Sequence, residues 1–258
     1  MTGLRTCYLS FPCYANVHPA ACRAAFGGAS ARLRVRVLAQ GHSLLAHGFN
    51  EAWCWALNAA QSGERVDYFA MLHGDIAPEP NWLDVLVAEL EAGHYDVVSA
   101  VVPIKDSRGL TSTAVGHPDS ADCYDVAYRL TMAEAVRLPE TFTAADIPEA
   151  PGPLLVNTGC WVCRFDPKWA ERCHFEIRSR IRKVGDIYQA EVNPEDWNIS
   201  RQWHALGLNV AATRKVKLHH HGDAAFGNQE AWGDYDFDRD KLTAPALGPT
   251  EEVTCGDG

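Results

Sequence analysis

The chain has 258 residues, of which 47% are hydrophobic and 22% charged. These values are those of an ordinary globular protein and exclude a disordered or fibrous chain. The formal net charge of -10 disfavours a surface that grips nucleic acid by bulk neutralisation of phosphates. Because no linker rich in Pro, Gly or Ser divides the chain, we expect one domain over residues 1–222 and a C-terminal extension or lid over residues 223–258.

The cysteines and the apolar stretches bear on the cellular compartment. The chain has nine cysteines, an odd number without a regular framework, and its N-terminus lacks the pattern of a signal peptide. The apolar runs are of strand length, too short to span a bilayer. We therefore expect reduced thiols, a cytoplasmic protein and no membrane anchor. Cys160 and Cys163 form a CxxC that lies in a strand-like run, and we interpret both as core residues.

The first third of the chain alternates between strand and helix patterns. Residues 43–60 carry apolar side chains at four-residue spacing, which predicts a helix with Ser43 as its N-cap. Residues 66–72 are almost continuously apolar and suit a strand buried on both faces. The predicted strands are residues 6–11, 33–39, 66–72 and 96–102, and a helix over residues 82–91 begins after Asn81.

The remaining two thirds continue the alternation less regularly. Arg178, Arg180, Arg182 and Lys183 form the densest basic stretch, which we interpret as a solvated helix face. Strands are predicted over residues 111–115, 154–164 and, in two runs, 209–221; helices are predicted over residues 131–136 and 195–206. Strands alternating with helices indicate an α/β sheet that carries its chemistry at the carboxyl ends of the strands.

Asp75 is the first candidate for chemistry, because it follows a predicted buried strand directly, in a turn that contains Gly74. A carboxylate in that position can hold Mg²⁺ or Mn²⁺ together with diphosphate oxygens. The alternative is that Asp75 only caps the turn before Pro78.

Three consecutive histidines precede Gly222 at the end of a predicted strand. The alternation of side chains along a strand places His220 on the face opposite His219 and His221. An imidazole is a suitable ligand for Mn²⁺, so a second metal ligand from this strand is chemically sensible. The alternative is a structural or solvated role.

Glu195 and Asp196 follow Pro194 and open a predicted helix. One of the two carboxylates could accept a proton from an attacking hydroxyl group. The alternative is capping of the helix and a favourable interaction with its dipole.

Taken in order, these segments resemble the GT-A class of glycosyltransferases, in particular the compact family-2-like enzymes of bacteria and their phages. The resemblance covers residues 6–222. The segment DYFAMLHGDIAPEP, residues 67–80, is similar to the strand that ends in the family's Asp-x-Asp metal motif, with His73-Gly74-Asp75 in its place. Phe49-Asn50 stands where the family carries Arg-Asn, and the histidine run before Gly222 resembles its His-x-Gly closing motif.

The resemblance implies a role for each candidate residue. Asp75 and His220 are expected to bind Mn²⁺ or Mg²⁺. Residues 6–14 are similar to the first strand and nucleotide-binding loop, and the expected donor-binding residues are Pro12, Tyr14, Asn50 and His73. Asn157-Thr158-Gly159-Cys160 looks like the strand at the acceptor side. Glu195-Asp196-Trp197 is similar to the acidic helix-start motif, with Asp196 as the base and Glu195 beside it in the acceptor site.

The implied fold is a single-domain, Rossmann-like mixed sheet flanked by helices. The implied activity is metal-dependent, inverting transfer of a sugar from a nucleotide-sugar, a UDP-sugar first, to a hydroxyl acceptor. The acceptor stays open among a glycan, a protein, a small molecule and a modified DNA base. A nucleotidyltransferase and a non-catalytic nucleotide-sugar-binding module are the alternatives. The aromatic segment 226–237 is either a lid or a packed extension.

Overall fold

The computed structural model describes residues 4–13, 17–117, 122–148, 150 and 152–233. The helices alternate with the strands through the first half of the described chain. The strands are β1 Thr6–Pro12, β2 Arg34–Gln40, β3 Tyr68–Leu72, β4 Ile76–Pro78, β5 Val97–Ala100, β6 Leu110–Gly116, β7 Val126–Thr131, β8 Thr141–Phe142, β9 Leu154–Leu155, β10 Cys160–Arg164, β11 Arg178–Val184, β12 Ile187–Asn193, β13 Val210–Thr213, β14 Leu218–His221 and β15 Ala225–Gly227. The helices are α1 Pro19–Phe26, α2 Leu45–Gln61, α3 Trp82–Ala92, α4 Met132–Ala135, α5 Pro167–Ala170 and α6 Glu195–Ala205, with a 3-10 turn at Ala144–Asp146.

Seven strands form a mixed central sheet in the order β2-β1-β3-β10-β5-β13-β8. The pairs β1-β2, β1-β3 and β5-β13 are parallel, whereas β10 runs antiparallel to both β3 and β5. The chain places β2 on one side of β1 and then β3 on the other, so the strand order reverses beside β1. Ligands of open α/β sheets bind at such a reversal, beyond the carboxyl ends of the strands.

Helices cover both faces of this sheet because its strands are apolar on both faces. Along β1, Cys7 and Leu9 pack into the core layer that contains α1 and α3, whereas Tyr8 packs into the layer that contains α2 and α6. Trp53 of α2 and Trp203 of α6 are both buried in this second layer. The structure therefore confirms the predicted mixed α/β sheet flanked by helices.

Three smaller sheets surround the central one. β4, β14 and β15 form one antiparallel sheet, and β6, β7 and β9 form another. β11 and β12 form an isolated hairpin. The basic stretch that begins at Arg178 lies on β11, so its interpretation as a helix face was wrong. Its period is two, since Arg180 and Arg182 share one face and contact Glu191 on the facing strand.

Several predicted element boundaries also shift. Helix α2 begins at Leu45, and its N-cap residue is Leu44 instead of the predicted Ser43. Residues 154–164 contain two short strands in different sheets, β9 beside β6 and β10 in the central sheet, and the loop of residues 156–159 between them forms part of the site described below. Cys160 and Cys163 lie buried on β10, where burial raises the pKa of both thiols, as expected of core residues.

In the described part of the chain, the helices all fall short of the length and apolarity that a membrane span requires.

Candidate active site

A cavity of about 840 Å³ opens at the carboxyl ends of β1, β2 and β3. Its wall includes residues that directly follow these strands, among them Cys13, His42 and the His73-Gly74-Asp75 turn. Glu195 at the start of α6 and His220 of β14 complete the wall from the opposite side. Residues separated by more than a hundred positions in the sequence thus meet at the point where the strand order reverses.

Asp75 is half-buried in this cavity and contacts two basic side chains. Its Oδ2 accepts a hydrogen bond of 2.6 Å from Lys105 Nζ and lies 3.4 Å from His220 Nε2. Burial alone would raise the pKa of Asp75, but the hydrogen bonds from His220 and Lys105 hold it well below its usual range. Asp75 is therefore an anion at any physiological pH and is available to hold a cation.

His220 is positioned by the pairing of β14 with β4, which places it opposite Ile76. Its Nδ1 lies 2.7 Å from the carbonyl oxygen of Pro103. Since a carbonyl can only accept, Nδ1 carries a proton. Nε2 faces Asp75: it donates to the carboxylate when the ring is protonated, and it offers a lone pair to a metal ion when the ring is neutral. A histidine that donates one ring N–H to a backbone carbonyl and turns the other nitrogen towards a carboxylate has the arrangement of a metal ligand.

Asp75 and His220 together fit a divalent cation. Ligands of an octahedral cation at about 2.1 Å lie about 3 Å apart when adjacent, which is close to the observed 3.4 Å between Asp75 Oδ2 and His220 Nε2. Imidazole nitrogen and carboxylate oxygen suit Mn²⁺. Lys105 competes with such a cation, because its ammonium group already contacts the same carboxylate oxygen.

His73 is half-buried beside Asp75, and its Nε2 atom is enclosed. Burial lowers the pKa of His73 to about 4, so the ring is neutral at physiological pH. Its Nε2 has no hydrogen-bond partner among the described residues, although the atom is buried. The ring packs against Phe49, with 5.1 Å between the ring centroids. An unpaired buried ring nitrogen in the wall of a cavity is costly unless a ligand satisfies it.

The loop between β9 and β10 connects the two sides of the site. The carbonyl of Gly159 accepts a hydrogen bond from the backbone N–H of His73. Asn157 contacts Asp196 through its Nδ2, at 3.4 Å, and accepts a bond of 2.6 Å from the Gly159 N–H. This segment therefore contacts both His73 and Asp196. Residues 156–159 form a loop where a strand was predicted.

Glu195 and Asp196 occupy the first turn of α6 and are both buried. Glu195 lines the cavity, whereas Asp196 is enclosed and accepts a bond from the backbone N–H of Trp197 through Oδ1. Burial raises the pKa of both carboxyl groups, and the charge of Glu195 adds to the effect on Asp196. A raised pKa makes a carboxylate a stronger proton acceptor, which a general base requires.

The other predicted donor-binding residues lie in different surroundings. Pro12 lines the cavity. Tyr14 lies outside the described residues. Asn50 does not line the cavity: its side-chain amide exchanges two hydrogen bonds of 2.8 Å with the backbone of Phe175, so that it ties α2 to that segment.

Three further cavity residues have contacts that the sequence did not predict, although His221 belongs to the histidine run already singled out. Lys105 follows β5 in the chain, and no motif marks its position. The rings of His18 and His221 stack, with their centroids 3.6 Å apart. The dipeptide His18-Pro19 could have been read as a helix start, because His18 caps α1 by accepting a bond from the Ala20 N–H at Nδ1. The stacking partner could only come from the fold.

Residues 35–143 match the family model described as Glycosyl transferase family 2. The chain is thus similar to family-2 glycosyltransferases and has the GT-A type of fold, which confirms the resemblance seen in the sequence. The match supports glycosyl transfer as the general class of activity. It contains His73 and Asp75 but ends before Glu195, Asp196 and His220.

Comparisons with individual proteins add little to this. No curated protein matches the chain. Among solved structures, the chain is similar to A197 from STIV, with 15% identity and a TM-score of 0.49, over 89% of this chain and 94% of that one. It is also similar to apo-UDP-glucose pyrophosphorylase, with 12% identity and a TM-score of 0.35, over 73% of this chain and 59% of that one. Likenesses of this size carry no argument about activity.

Proposed function

We propose that this protein transfers a sugar from a nucleotide-diphosphate sugar, a UDP-sugar first, to a hydroxyl group of an acceptor. The observation that carries the proposal is the convergence of Asp75, His220 and Glu195 on one cavity at the strand-order reversal. The domain that performs the transfer is residues 1–222, and residues 223–258 are a C-terminal extension or a lid.

Asp75 and His220 are the residues that would hold Mn²⁺ or Mg²⁺. When bound, such a cation neutralises the charge that develops on the diphosphate leaving group. Lys105 supplies a positive charge at the same place, since its Nζ lies 2.6 Å from Asp75 Oδ2. A diphosphate that enters the cavity therefore meets a fixed cation of the chain itself.

His73 and Pro12 form the wall on which the donor rests. The His73 ring lines that wall, and its unpaired Nε2 is buried, so a hydroxyl group of the donor would satisfy it once the ring turns towards the cavity. A site that hydrogen-bonds a substrate hydroxyl rejects analogues that lack it, because the buried partner is then left unpaired. His73 thus contributes to the choice of donor.

Glu195 is the group in position to accept the proton of the acceptor hydroxyl, because it lines the cavity. Asp196 lies behind it and, by similarity, was expected to be the base. A single carboxylate that deprotonates the attacking hydroxyl leads to one displacement at the anomeric carbon and so to inversion of configuration. The anomeric proton signals of the product in NMR would report the configuration.

Release of nucleoside diphosphate from a panel of UDP-, GDP- and dTDP-sugars tests the proposal. We expect release from one donor in the presence of Mn²⁺ or Mg²⁺, and a loss of about 100-fold or more in Asp75→Asn. Asp166→Asn is the matched control, because Asp166 caps α5 away from the cavity and asparagine caps equally well.

Two other outcomes would contradict the proposal in different ways. Pyrophosphate formed from a nucleoside triphosphate would indicate nucleotidyl transfer. Binding of a nucleotide-sugar without any turnover, for every donor and metal, would indicate a binding module that does not catalyse.

A further inference from the structure

A second group of metal-ligating side chains lies at the start of α2, apart from the Asp75 and His220 pair. His42 precedes the helix, and His47 and Glu51 lie one turn apart on it. Their ligand atoms all lie within 4.8 Å of one another. Among the described residues, no other three His, Cys, Asp or Glu side chains bring their ligand atoms so close together.

Both imidazole rings turn the same nitrogen to one carboxylate. His42 Nε2 contacts Glu51 Oε2, and His47 Nε2 lies 3.3 Å from Glu51 Oε1. The rings meet edge to face, with centroids 5.5 Å apart. Tetrahedral Zn²⁺, with bonds of about 2.0–2.1 Å, places its ligands about 3.3 Å apart. The three ligand atoms therefore need only small movements to surround a zinc ion.

The helix is shaped to receive the ring of His42. Gly48 has no side chain, and a Cβ atom there would lie 2.9 Å from His42 Cδ2 and 3.1 Å from His42 Cβ. Gln40, at the end of β2, donates a hydrogen bond of 2.7 Å to the carbonyl of Gly48. The connection from β2 to α2 is thus held against the helix, which keeps His42 near His47 and Glu51.

We propose that His42, His47 and Glu51 bind Zn²⁺. Two imidazole nitrogens and one carboxylate select Zn²⁺ over Mg²⁺, which prefers oxygen ligands. Three protein ligands leave a fourth position for water or for a ligand atom. The site borders the cavity at the carboxyl ends of β1, β2 and β3, since His42 and Gly48 also line that cavity. The inference does not depend on the proposed glycosyl transfer.

Titration of the metal-free protein with ZnCl₂ by isothermal calorimetry tests the inference. We expect one equivalent of zinc to bind at this group and its affinity to fall by about 100-fold or more in His47→Ala and in Glu51→Gln, because each removes a direct ligand. His174→Ala is the matched control, since His174 is as exposed as His47 and also lies beside a glutamate. Its zinc titration should equal that of the wild type.

A spectroscopic readout separates this site from the other histidines around the cavity. Co²⁺ in place of zinc should give the intense visible absorption of tetrahedral coordination in the wild type and in His174→Ala, and not in His47→Ala or Glu51→Gln. Melting temperatures without metal should be the same in all variants, because the altered side chains are exposed. An unchanged zinc stoichiometry and affinity in both ligand variants would overturn the inference.

Discussion

Glu195 and Asp196 are neighbours in the chain, but only Glu195 lines the cavity. We expect Glu195→Gln to lower the rate of nucleoside diphosphate release by about 10²- to 10⁴-fold, the usual contribution of a general base. Asp196→Asn should lower it much less. Steady-state rates of both variants, with the donor that the wild type uses, check this. A wild-type rate in Glu195→Gln together with an inactive Asp196→Asn would show that Asp196 is the base.

Asp196 should also make stability depend on pH. Its pKa in the folded chain is raised by burial and by the charge of Glu195. A carboxyl group with a raised folded-state pKa stabilises the fold at pH values below its unfolded pKa and loses that contribution as the pH rises through the folded pKa.

We therefore expect Asp196→Asn to gain stability relative to the wild type from about pH 4 upward. Urea unfolding of both proteins at several pH values measures the difference in free energy. The comparison between the two proteins cancels the contribution of His73, whose lowered pKa acts in the opposite direction at acidic pH. A difference that stays constant with pH would show that Asp196 titrates normally.

The part of the site that the sequence predicts is the part marked by local pattern. Asp75 follows a run of buried residues, so periodicity marks its position, whereas His220 was chosen among the three histidines through the resemblance to the family's His-x-Gly motif. Lys105 and the stacked pair of His18 and His221 depend on which strands become neighbours. Local pattern does not encode that information, so Lys105 and the contact between His18 and His221 could only be found in the folded chain.

At the scale of elements, the packing of the loop before β10 leaves no room for a side chain at Gly159. A Cβ atom at Gly159 would lie 2.4 Å from Ile76 Cδ1 and 2.7 Å from Asn157 Oδ1. We expect Gly159→Ala to cost about 1–3 kcal/mol of unfolding free energy, because both neighbours are held in packed segments.

Gly27→Ala is the matched control for this substitution. The nearest atom to a Cβ at Gly27 is the carbonyl oxygen of Arg23, at 3.7 Å, so we expect a change within about 0.5 kcal/mol. Urea unfolding of both variants compares the two positions. Equal costs would show that the loop moves to accept a side chain.

Elements were predicted well where one periodicity dominates and poorly where charge obscured it. Helix α2 and strand β3 lie within two residues of the predicted ends, because each has a clear apolar pattern. On β11 the dense run of basic side chains suggested a helix face, although Arg178, Arg180 and Arg182 alternate with a period of two. Helix α1 was missed because its small residues, mostly alanine, give little amphipathic contrast.

At the scale of the whole molecule, two buried tryptophans of the same core layer allow a direct comparison. Trp53 Nε1 donates a bond of 2.9 Å to the carbonyl of Ala170. Trp203 Nε1 is buried without a hydrogen-bond partner in the part of the chain that the structure describes. Replacement by phenylalanine removes a satisfied donor in the first case and an unsatisfied one in the second.

We therefore expect Trp53→Phe to be more destabilising than Trp203→Phe by about 1 kcal/mol. Chemical denaturation of the two variants measures this difference. Both substitutions remove a similar volume from the core, so the hydrogen bond is the main variable. A larger cost for Trp203→Phe would indicate that packing against Trp161, at 4.9 Å between ring centroids, outweighs the bond.

The position of β10 in the central sheet sets the order in which the nascent chain can fold. β10 lies between β3 and β5, yet it is translated after both. While residues 101–159 are being made, the facing edges of two wholly buried strands have no partner. The nascent chain therefore has exposed strand edges during this time, and these edges must not pair with other chains. Synthesis must pass residue 164 before the two halves of the sheet can join.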